Sequence, residues 1–476
     1  MNTAYRNLTP VEIEQLERQG NSAESWATVR VAEPFCAACV RNSTFEGAVS
    51  LGSIEERRHS DGALTLKEGI YNSCLCNTTV GNHPTVHNVR MLSRYTIGDN
   101  VLLFNIDEMT ADPGNPAWLE PMNENGGRRI LPFGGMTIGD AYLWARYRGR
   151  KVLMEKLEQM TTDLLATEEG RYGRVGDSCT IKNTKSIHNV IIRSAADDRT
   201  LVDSCITLRD GVVGYGCTLE YGVIAVRFLL GEHVHLEFGL RLNDTVVGDN
   251  STLARCEVGN SIIFPAHEQH HNNSFLIAGL IMGQSNIAAG GTIGSNHNSR
   301  TADNEIVGGR GFWPGLCCSF KHSSRFASYC LLAKADYPSE LDITLPFALV
   351  NNNVAKDQLE IMPAYWWMYN MYAMDHNSKK FAKRDKRVLK AQNIEFDNLA
   401  PDTAEEILRG MKQLRAWMAA STTDTVYAQK QEKSKRPTVV LKAKEGLKAY
   451  EDMLVFYAMK TLESGKWKVE SVKQNG

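Results

Sequence analysis

Histidine, amide and cationic side chains are concentrated in one stretch of this chain. Five of its twelve histidines lie between residues 267 and 322. A neutral imidazole is the usual general base near pH 7, and asparagine amides orient sugar hydroxyls. Arginine or lysine binds a phosphate or a developing oxyanion. The stretch therefore predicts a site that removes a proton from a hydroxyl or amine of a polar, partly anionic substrate.

Within this stretch, His271 and His297 are the best candidates for the base, because each is followed by asparagine in a run of small polar residues. Glu268 could orient a histidine or act alone, and the sequence does not choose among the three. The predicted substrate-binding residues are Asn272, Asn273, Asn296, Asn298, Arg300, Arg310, Trp313, Lys321 and, from a separate loop, Arg128. The alternative is that these side chains cap turns and bond to the backbone.

A metal-dependent hydratase or hydrolase is a second hypothesis for the same histidines. Catalytic zinc needs three protein ligands and an open position. His270 and His271 are adjacent and would point to opposite sides of a strand, which argues against both serving together. Cys74-Leu75-Cys76 and Cys317-Cys318 lack CxxC spacing, so no structural zinc and no metal ligand is predicted. The ligands under this hypothesis would be drawn from His267, His270, His271 and His297.

The elements that must position these residues follow a six-residue rhythm. Apolar residues from Leu230 to Val258 recur at steps of six, six, five, six and five. That period fits neither a helix nor a simple hairpin. It is typical of a left-handed parallel β-helix built from hexapeptide repeats. The rhythm slips between Val258 and Met282, where the histidine-rich segment lies. The apolar positions are Leu230, Leu236, Leu242, Val247, Leu253 and Val258.

The repeat is interrupted and flanked by other elements, so the chain is predicted to be mainly β with helical additions. Thr9 and Glu12 predict a capping box for a short N-terminal helix. A loop rich in glycine and proline at 107–136 precedes a helix of roughly 25 residues that Asp140 is predicted to cap. The basic run 379–390 is interpreted as a solvated helix face. The predicted divisions are an N-terminal cap (1–44), a first β-helix part (45–105), a loop and helix insertion (106–170), a second β-helix part (171–335) and a mostly helical C-terminal extension (336–476).

Composition excludes several classes of function. The formal net charge is −2, which gives no global electrostatic case for binding nucleic acid or an anionic membrane. No apolar run is long enough to span a membrane, and no secretory signal is recognised. The eleven cysteines are interpreted as small buried thiols of a reduced protein, which predicts a cytoplasmic location.

Residues 45–105 and 175–330 resemble the hexapeptide-repeat superfamily of left-handed β-helices, through pairs such as Ile97-Gly98, Val247-Gly248 and Ile293-Gly294. Most members are acyltransferases that act on sugar nucleotides, amino sugars or serine, often as trimers with a histidine base. A minority are zinc-dependent carbonic anhydrases whose histidine ligands come from adjacent chains. The resemblance implies acyl-CoA as the donor and a homo-oligomer, most simply a trimer.

The whole chain also resembles a long bacterial family of β-helix proteins without an assigned function. The segment from Asn123-Glu124 to Arg128, His297 and the Gly309-Arg310-Gly311-Phe312 run look like recurring features of that family. The chain departs from ordinary hexapeptide proteins in its 17-residue turns, helical insertion and large helical tail. It also lacks the glycine-rich start of sugar nucleotidyltransferases. The leading hypothesis is a transferase on a sugar, amino sugar or sugar nucleotide; the alternatives are the metal-dependent enzyme and a non-catalytic scaffold or carbohydrate-binding solenoid.

Overall fold

The computed structural model describes residues 4–114, 118–122, 127–167, 170–294 and 305–463. The chain forms two compact units. The first comprises Met1–Leu280, Asn298–Asn304 and Lys386–Gln392, and the second comprises Ile281–His297, Glu305–Asp385 and Asn393–Gly476. Both contain parallel β-solenoid coils, so the prediction of a parallel β-helix is confirmed.

The coils of the first unit stack in register. Leu208 pairs with Ala225, Ala225 with Leu242, Leu242 with Val258 and Val258 with Leu276, at intervals of 17, 17, 16 and 18 residues. All five side chains are buried, at 2% exposure or less. Each coil therefore buries its apolar positions directly above those of the coil before it, which is why the six-residue rhythm is visible in the sequence.

The recurring pairs of a branched apolar residue and a glycine mark places where neighbouring coils approach closely. A Cβ atom on Gly214 would lie 2.1 Å from the carbonyl oxygen of Gly231. A Cβ on Gly231 would in turn lie 2.1 Å from Asp249 Oδ1, which accepts a hydrogen bond from the Glu232 amide at 3.0 Å. Glycine is needed at these positions because any side chain would separate the stacked backbones.

The N-terminal helix and its capping box are confirmed. The helix Pro10–Arg18 begins at Thr9, and Thr9 and Glu12 form the predicted capping box. Strand pairing starts before residue 45, however, because Val29–Ala32 pairs in parallel with Val49–Leu51. The first coils are short and interrupted by turns, so their apolar residues do not recur every six positions as they do in the later coils.

The insertion contains two helices where one was predicted. Ile138–Arg146 and Lys151–Leu165 are separated at residues 147–150, which include Gly149. Thr137 is the N-cap of the first helix, and Asp140 completes the capping box from the third helical position. Asp140 is therefore the capping partner, and the prediction that it is the cap itself was wrong by three residues.

The second unit combines coils with a closing sheet and helices. Trp313–Pro314, Leu331–Leu332 and Leu349–Asn353 pair in parallel, and Leu349–Asn353 then pairs antiparallel with Gln358–Met362. Tyr450 donates a hydrogen bond to the Pro346 carbonyl at 2.5 Å, so the C-terminal helix packs against a coil of its own unit.

The helices are Pro10–Arg18, Ile138–Arg146 and Lys151–Leu165 in the first unit and Tyr365–Tyr369, Met371–Arg384, Pro401–Ala420 and Ala443–Glu463 in the second, with 3-10 turns at Trp26–Thr28, Ala37–Cys39 and Val354–Lys356. The strands of the first unit are Tyr5–Asn7, Ser22–Ala23, Val29–Ala32, Val40–Arg41, Thr44–Glu46, Val49–Leu51, Arg58–Asp61, Leu64–Lys67, Gly69–Tyr71, Cys74–Cys76, Thr79–Val80, Thr85–Ser93, Thr96–Ile97, Leu102–Thr110, Arg174–Val175, Thr180–Lys182, Ser186–Ile192, Leu201–Asp203, Thr207–Val213, Thr218–Glu220, Ile224–Leu230, His235–Glu237, Arg241–Val247, Thr252–Ala254, Glu257–Gly259, Ile262–Ile263, Glu268–Gln269, Phe275–Ile277 and Gly279–Ile281. Those of the second are Thr292–Ile293, Ile306–Gly308, Trp313–Pro314, Ser319–Phe320, Arg325–Phe326, Leu331–Leu332, Asp336–Tyr337, Asp342–Ile343, Leu349–Asn353, Gln358–Met362, Val426–Ala428 and Thr438–Val440.

Candidate functional site

One corner of the first unit carries large side chains where small ones are usual. Tyr221, Phe238, Arg255 and Asn273 occupy equivalent corners of successive coils, and all have positive φ, between 54° and 60°. Asparagine tolerates this backbone region, whereas bulky side chains are uncommon in it. Tyr221 and Phe238 are 53% and 42% exposed, so burial does not account for their presence there. We call these four residues the corner ladder.

The rings of the corner ladder stack in sequence. Tyr221 and Phe238 lie with their ring centroids 5.0 Å apart and their planes at 13°. The Arg255 guanidinium lies 4.2 Å from the Phe238 centroid. The result is an exposed aromatic platform that ends in a cation.

Beside the ladder, a turn presents the predicted base. Strand Glu268–Gln269 pairs with Thr252–Leu253, and the chain then turns before Phe275–Ile277 pairs with Glu257–Gly259. His271, Asn272 and Asn273 are exposed on this turn. This exposed turn lies within the interval where the six-residue rhythm slips.

A buried polar network holds the turn in place. His267 Nε2 lies 3.2 Å from Gln269 Oε1, and Gln269 Nε2 donates to Ser274 Oγ at 3.1 Å. His267 and Gln269 are fully buried. Burial lowers the pKa of His267 to about 4, so the imidazole is neutral at pH 7. His267 is therefore a supporting residue and not an accessible base.

Three residues of the ladder, Phe238, Arg255 and Asn273, line an open groove of about 990 Å³ together with the turn, and we call it the corner groove. Tyr221 lies outside this lining and stacks on Phe238. Its exposed charged groups are Arg241, Arg255 and Glu257, which sum to a net positive charge. The Cys256 thiol also lines it, but burial raises its pKa to about 12, which makes it a poor nucleophile. The remaining lining residues are Phe238, Gly239, His271, Asn272, Asn273, Ser274 and Phe275.

Two other residues of the predicted site in this unit lie outside that lining. Glu268 is buried, and its Oε2 lies 2.9 Å from His270 Nδ1, so it faces a different histidine from the predicted base. Arg128 donates to the Met122 sulfur at 3.9 Å. Their predicted roles at the groove stay predictions.

Arg310, predicted to bind an anion, is committed to internal contacts in the second unit. It is 8% exposed, and its Nη2 and Nε donate to the Asp402 carboxylate at 2.8 and 2.9 Å. Its Nη1 donates to the Asp397 carbonyl and to Gln284 Oε1 at 2.5 and 3.1 Å. Burial raises the pKa of Asp402, but the hydrogen bonds and the charge of Arg310, together with backbone hydrogen bonds, lower it by more, so the pKa lies below its ordinary value. Arg310 therefore stabilises the fold of its unit.

Trp313 and Lys321 also belong to the second unit. The Trp313 ring packs on Trp366, with centroids 5.6 Å apart. Lys321 Nζ lies 3.6 Å from the Glu340 carboxylate. The predicted cluster is thus divided between the two units. The four remaining predicted residues, Asn296, His297, Asn298 and Arg300, lie outside the described residues.

A second cavity of the first unit, of about 360 Å³, was not predicted. It is lined by Arg174, Arg193, Asp177 and Tyr215 together with glycine backbone. The Arg193 guanidinium lies 4.2 Å from the Tyr215 ring centroid. These residues are scattered singly along the repeat, so no local motif marks them in the sequence.

The metal-dependent hypothesis stays a prediction, because His297, one of its proposed ligands, lies outside the described residues. Within the described part of the chain, the one group of three side chains that could hold a metal ion consists of Cys36, Cys39 and Glu56. The pair Cys36-Ala37-Ala38-Cys39 has CxxC spacing, so the sequence signal was present and was overlooked. All eleven cysteines are free thiols.

A family model described as "Domain of unknown function (DUF4954)" matches residues 5–418. The chain belongs to this family. It is also 43% identical to an "Uncharacterized protein" of Treponema pallidum (strain Nichols), over 97% of this chain and 71% of the relative.

The DUF4954 match covers the coils, the corner ladder, the turn at 270–274 and the helical insertion. It therefore confirms that the coils and the helical insertion belong to one family. It assigns no reaction to the corner groove. Across the described residues, no helix combines the length and apolarity that crossing a bilayer requires.

Proposed function

We propose that this protein binds a sugar in the corner groove and transfers an acyl or related group to its hydroxyl or amine, with His271 as the general base. The observation that carries the proposal is the exposure of His271 and two asparagine amides beside the Tyr221–Phe238 stack. The sugar would be free, an amino sugar or part of a sugar nucleotide.

The side chains of the groove match the parts of such a ligand. The apolar face of a pyranose ring packs on an aromatic ring, and the Tyr221–Phe238 stack offers exposed area for this contact. Amides of Asn272 and Asn273 supply donors and acceptors for hydroxyls. Arg255 supplies a cation at the end of the ladder, which suits a phosphate or carboxylate of the ligand.

His271 then accounts for the reaction class. A neutral imidazole removes the proton from the acceptor hydroxyl or amine as the new bond to the acyl carbon forms. With acyl-CoA as donor, the same proton passes to the departing thiolate, so the products are the acylated sugar and free CoA. The groove needs no metal for this step.

The test separates binding from transfer. Sugars and amino-sugar nucleotides are screened for binding by glycan array and calorimetry, and transfer is followed as CoA thiol released from acyl-CoA. Tyr221→Ala and Phe238→Ala are expected to weaken binding by about threefold to tenfold each. His271→Ala is expected to lower turnover by about 10²- to 10⁴-fold while ligand affinity changes little.

His376→Ala is the matched control, because His376 is an exposed histidine of the second unit. Unchanged turnover in His271→Ala would remove the assignment of the base. Binding that depends on Tyr221 and Phe238 but gives no product with any donor would leave a carbohydrate-binding solenoid without catalysis. The predicted trimer is checked on the same protein by analytical ultracentrifugation.

A further inference from the structure

Two cysteines near the N-terminus form a closely spaced pair of thiols. Cys36 precedes the 3-10 turn Ala37–Cys39, Cys39 is its last residue, and the Cys39 amide donates to the Cys36 carbonyl at 3.0 Å. This tight turn brings the two sulfur atoms to 3.4 Å from each other. Cys36 is half-buried and Cys39 is buried. The pair plays no part in the corner groove.

A carboxylate from a second segment lies beside this pair. Two backbone hydrogen bonds hold the segments together, from the Cys36 amide to the Ile54 carbonyl at 3.0 Å and from the Ile54 amide to the Pro34 carbonyl at 2.9 Å. Glu56 lies two residues after Ile54. Its carboxylate and the two sulfur atoms all lie within 4.8 Å of one another. Three ligand atoms thus converge from two segments distant in sequence.

The spacing suits a tetrahedral cation such as zinc. A Zn–S bond of about 2.3 Å places two sulfurs of one tetrahedron about 3.8 Å apart. The observed 3.4 Å is within a few tenths of that value and far from the S–S bond of about 2.05 Å in a disulfide. Two thiolates and a carboxylate carry three negative charges, of which a divalent cation compensates two.

We propose that Cys36, Cys39 and Glu56 bind one zinc-type divalent cation and leave its fourth position open to water or another ligand. The site links the turn after residue 35 to the base of the hairpin formed by Arg58–Asp61 and Leu64–Lys67. Two sulfur ligands favour zinc over magnesium or calcium, which prefer oxygen.

The full chain, purified and reduced, is titrated with Co²⁺ as a spectroscopic substitute for zinc. The expected result is one Co²⁺ per chain, with thiolate-to-cobalt charge-transfer absorption and the strong visible bands of tetrahedral cobalt, both abolished by added Zn²⁺. Cys36→Ser is expected to remove the charge-transfer absorption of the site. Glu56→Gln is expected to weaken binding at least about tenfold.

Cys317→Ser is the matched control, since Cys317 is an exposed thiol in the other unit, and it is expected to bind like the parent. Cys39 is buried, so the test uses Cys36→Ser and Glu56→Gln, whose positions are more accessible. Circular dichroism checks that each variant is folded. Cobalt binding that survives both substitutions would overturn the proposal. An absence of charge-transfer absorption in protein whose thiols are shown to be reduced would also overturn it. A Cys36–Cys39 disulfide that forms in air equally fast with and without Zn²⁺ would do the same.

Discussion

Arg387 Nη1 lies 2.7 Å from the Asp249 carboxylate, and the two side chains are only 2% and 5% exposed. Arg387 also donates to the Gln392 carbonyl at 2.9 Å, and Asp249 accepts from the Glu232 amide at 3.0 Å. The pair joins residues 386–392 to a coil of the same unit. The interpretation of the basic run 379–390 as a solvated face is therefore wrong at Arg387.

Arg387→Ala is expected to destabilise the protein by about 3–5 kcal/mol, because it leaves the buried Asp249 carboxylate without its cation. Urea denaturation followed by circular dichroism measures the loss. Lys386→Ala, at the exposed neighbouring position, is the control and is expected to change stability by less than about 0.5 kcal/mol. Equal effects of the two substitutions would mean that the ion pair contributes nothing specific.

Glu232 lies next to this pair, and its carboxyl predicts how the stability of the protein depends on pH. Burial, and then the nearby Asp249 charge, raise the pKa of Glu232 above its usual value. A carboxyl with a raised folded-state pKa stabilises the fold at low pH and loses that contribution as pH rises through the folded pKa. Glu232→Gln removes the charge, so it is expected to raise the free energy of unfolding at pH 7.

The pH dependence distinguishes this effect from altered packing. The gain from Glu232→Gln is expected to shrink as the pH falls to 4.5, the ordinary pKa of a glutamate carboxyl, and to disappear below it, where the carboxyl of the parent is protonated in both states. Glu237→Gln, which changes a carboxyl in the following strand of the same coil, is the comparison variant. A gain that is the same at pH 4 and pH 7 would contradict the electrostatic explanation.

The coils were predictable because stacking forces a periodic pattern on the sequence. Leu242 and Val258 are buried above one another, and the spacing between them survives in the primary structure. The first coils around Val29 and the split of the inserted helix at Gly149 were not predictable in this way. They depend on turns and on pairing between distant strands, and neither leaves a period in the sequence.

Gly214→Ala tests the close approach of the coils. The added Cβ would lie 2.1 Å from the Gly231 carbonyl oxygen, so the backbone of one coil must move. A destabilisation of about 1–3 kcal/mol or more is expected, measured as a lower urea midpoint. Gly149→Ala is the matched control, because nothing lies within 4 Å of its Cβ position, and it is expected to be neutral or slightly stabilising. A neutral Gly214→Ala variant would mean that the coils can separate at little cost.

The site was only partly predictable, because residue type does not reveal what a side chain faces. His271 and His267 are four residues apart in one polar segment, yet the first is exposed and the second is fully buried. Arg310 is of a residue type that binds anions, but its guanidinium donates hydrogen bonds to Asp402, which lies 92 positions later. Tyr221 and Phe238 were not predicted, because each is an isolated aromatic residue in the sequence and their rings meet only when the coils stack.

His267 makes the difference between the two histidines measurable. Its folded-state pKa of about 4 lies below the value of 6.5 for an unperturbed imidazole. Between these values the unfolded chain takes up a proton that the folded chain does not, so stability falls as pH drops from 6.5 to 4. The expected contribution over this window is about 3 kcal/mol.

His267→Asn is expected to flatten that part of the pH–stability curve, measured by urea denaturation at half-unit pH steps. His271→Asn is the control and is expected to keep the slope of the parent, because the His271 side chain is exposed on its turn. If both variants keep the parent slope, His267 is not the group that causes acid destabilisation.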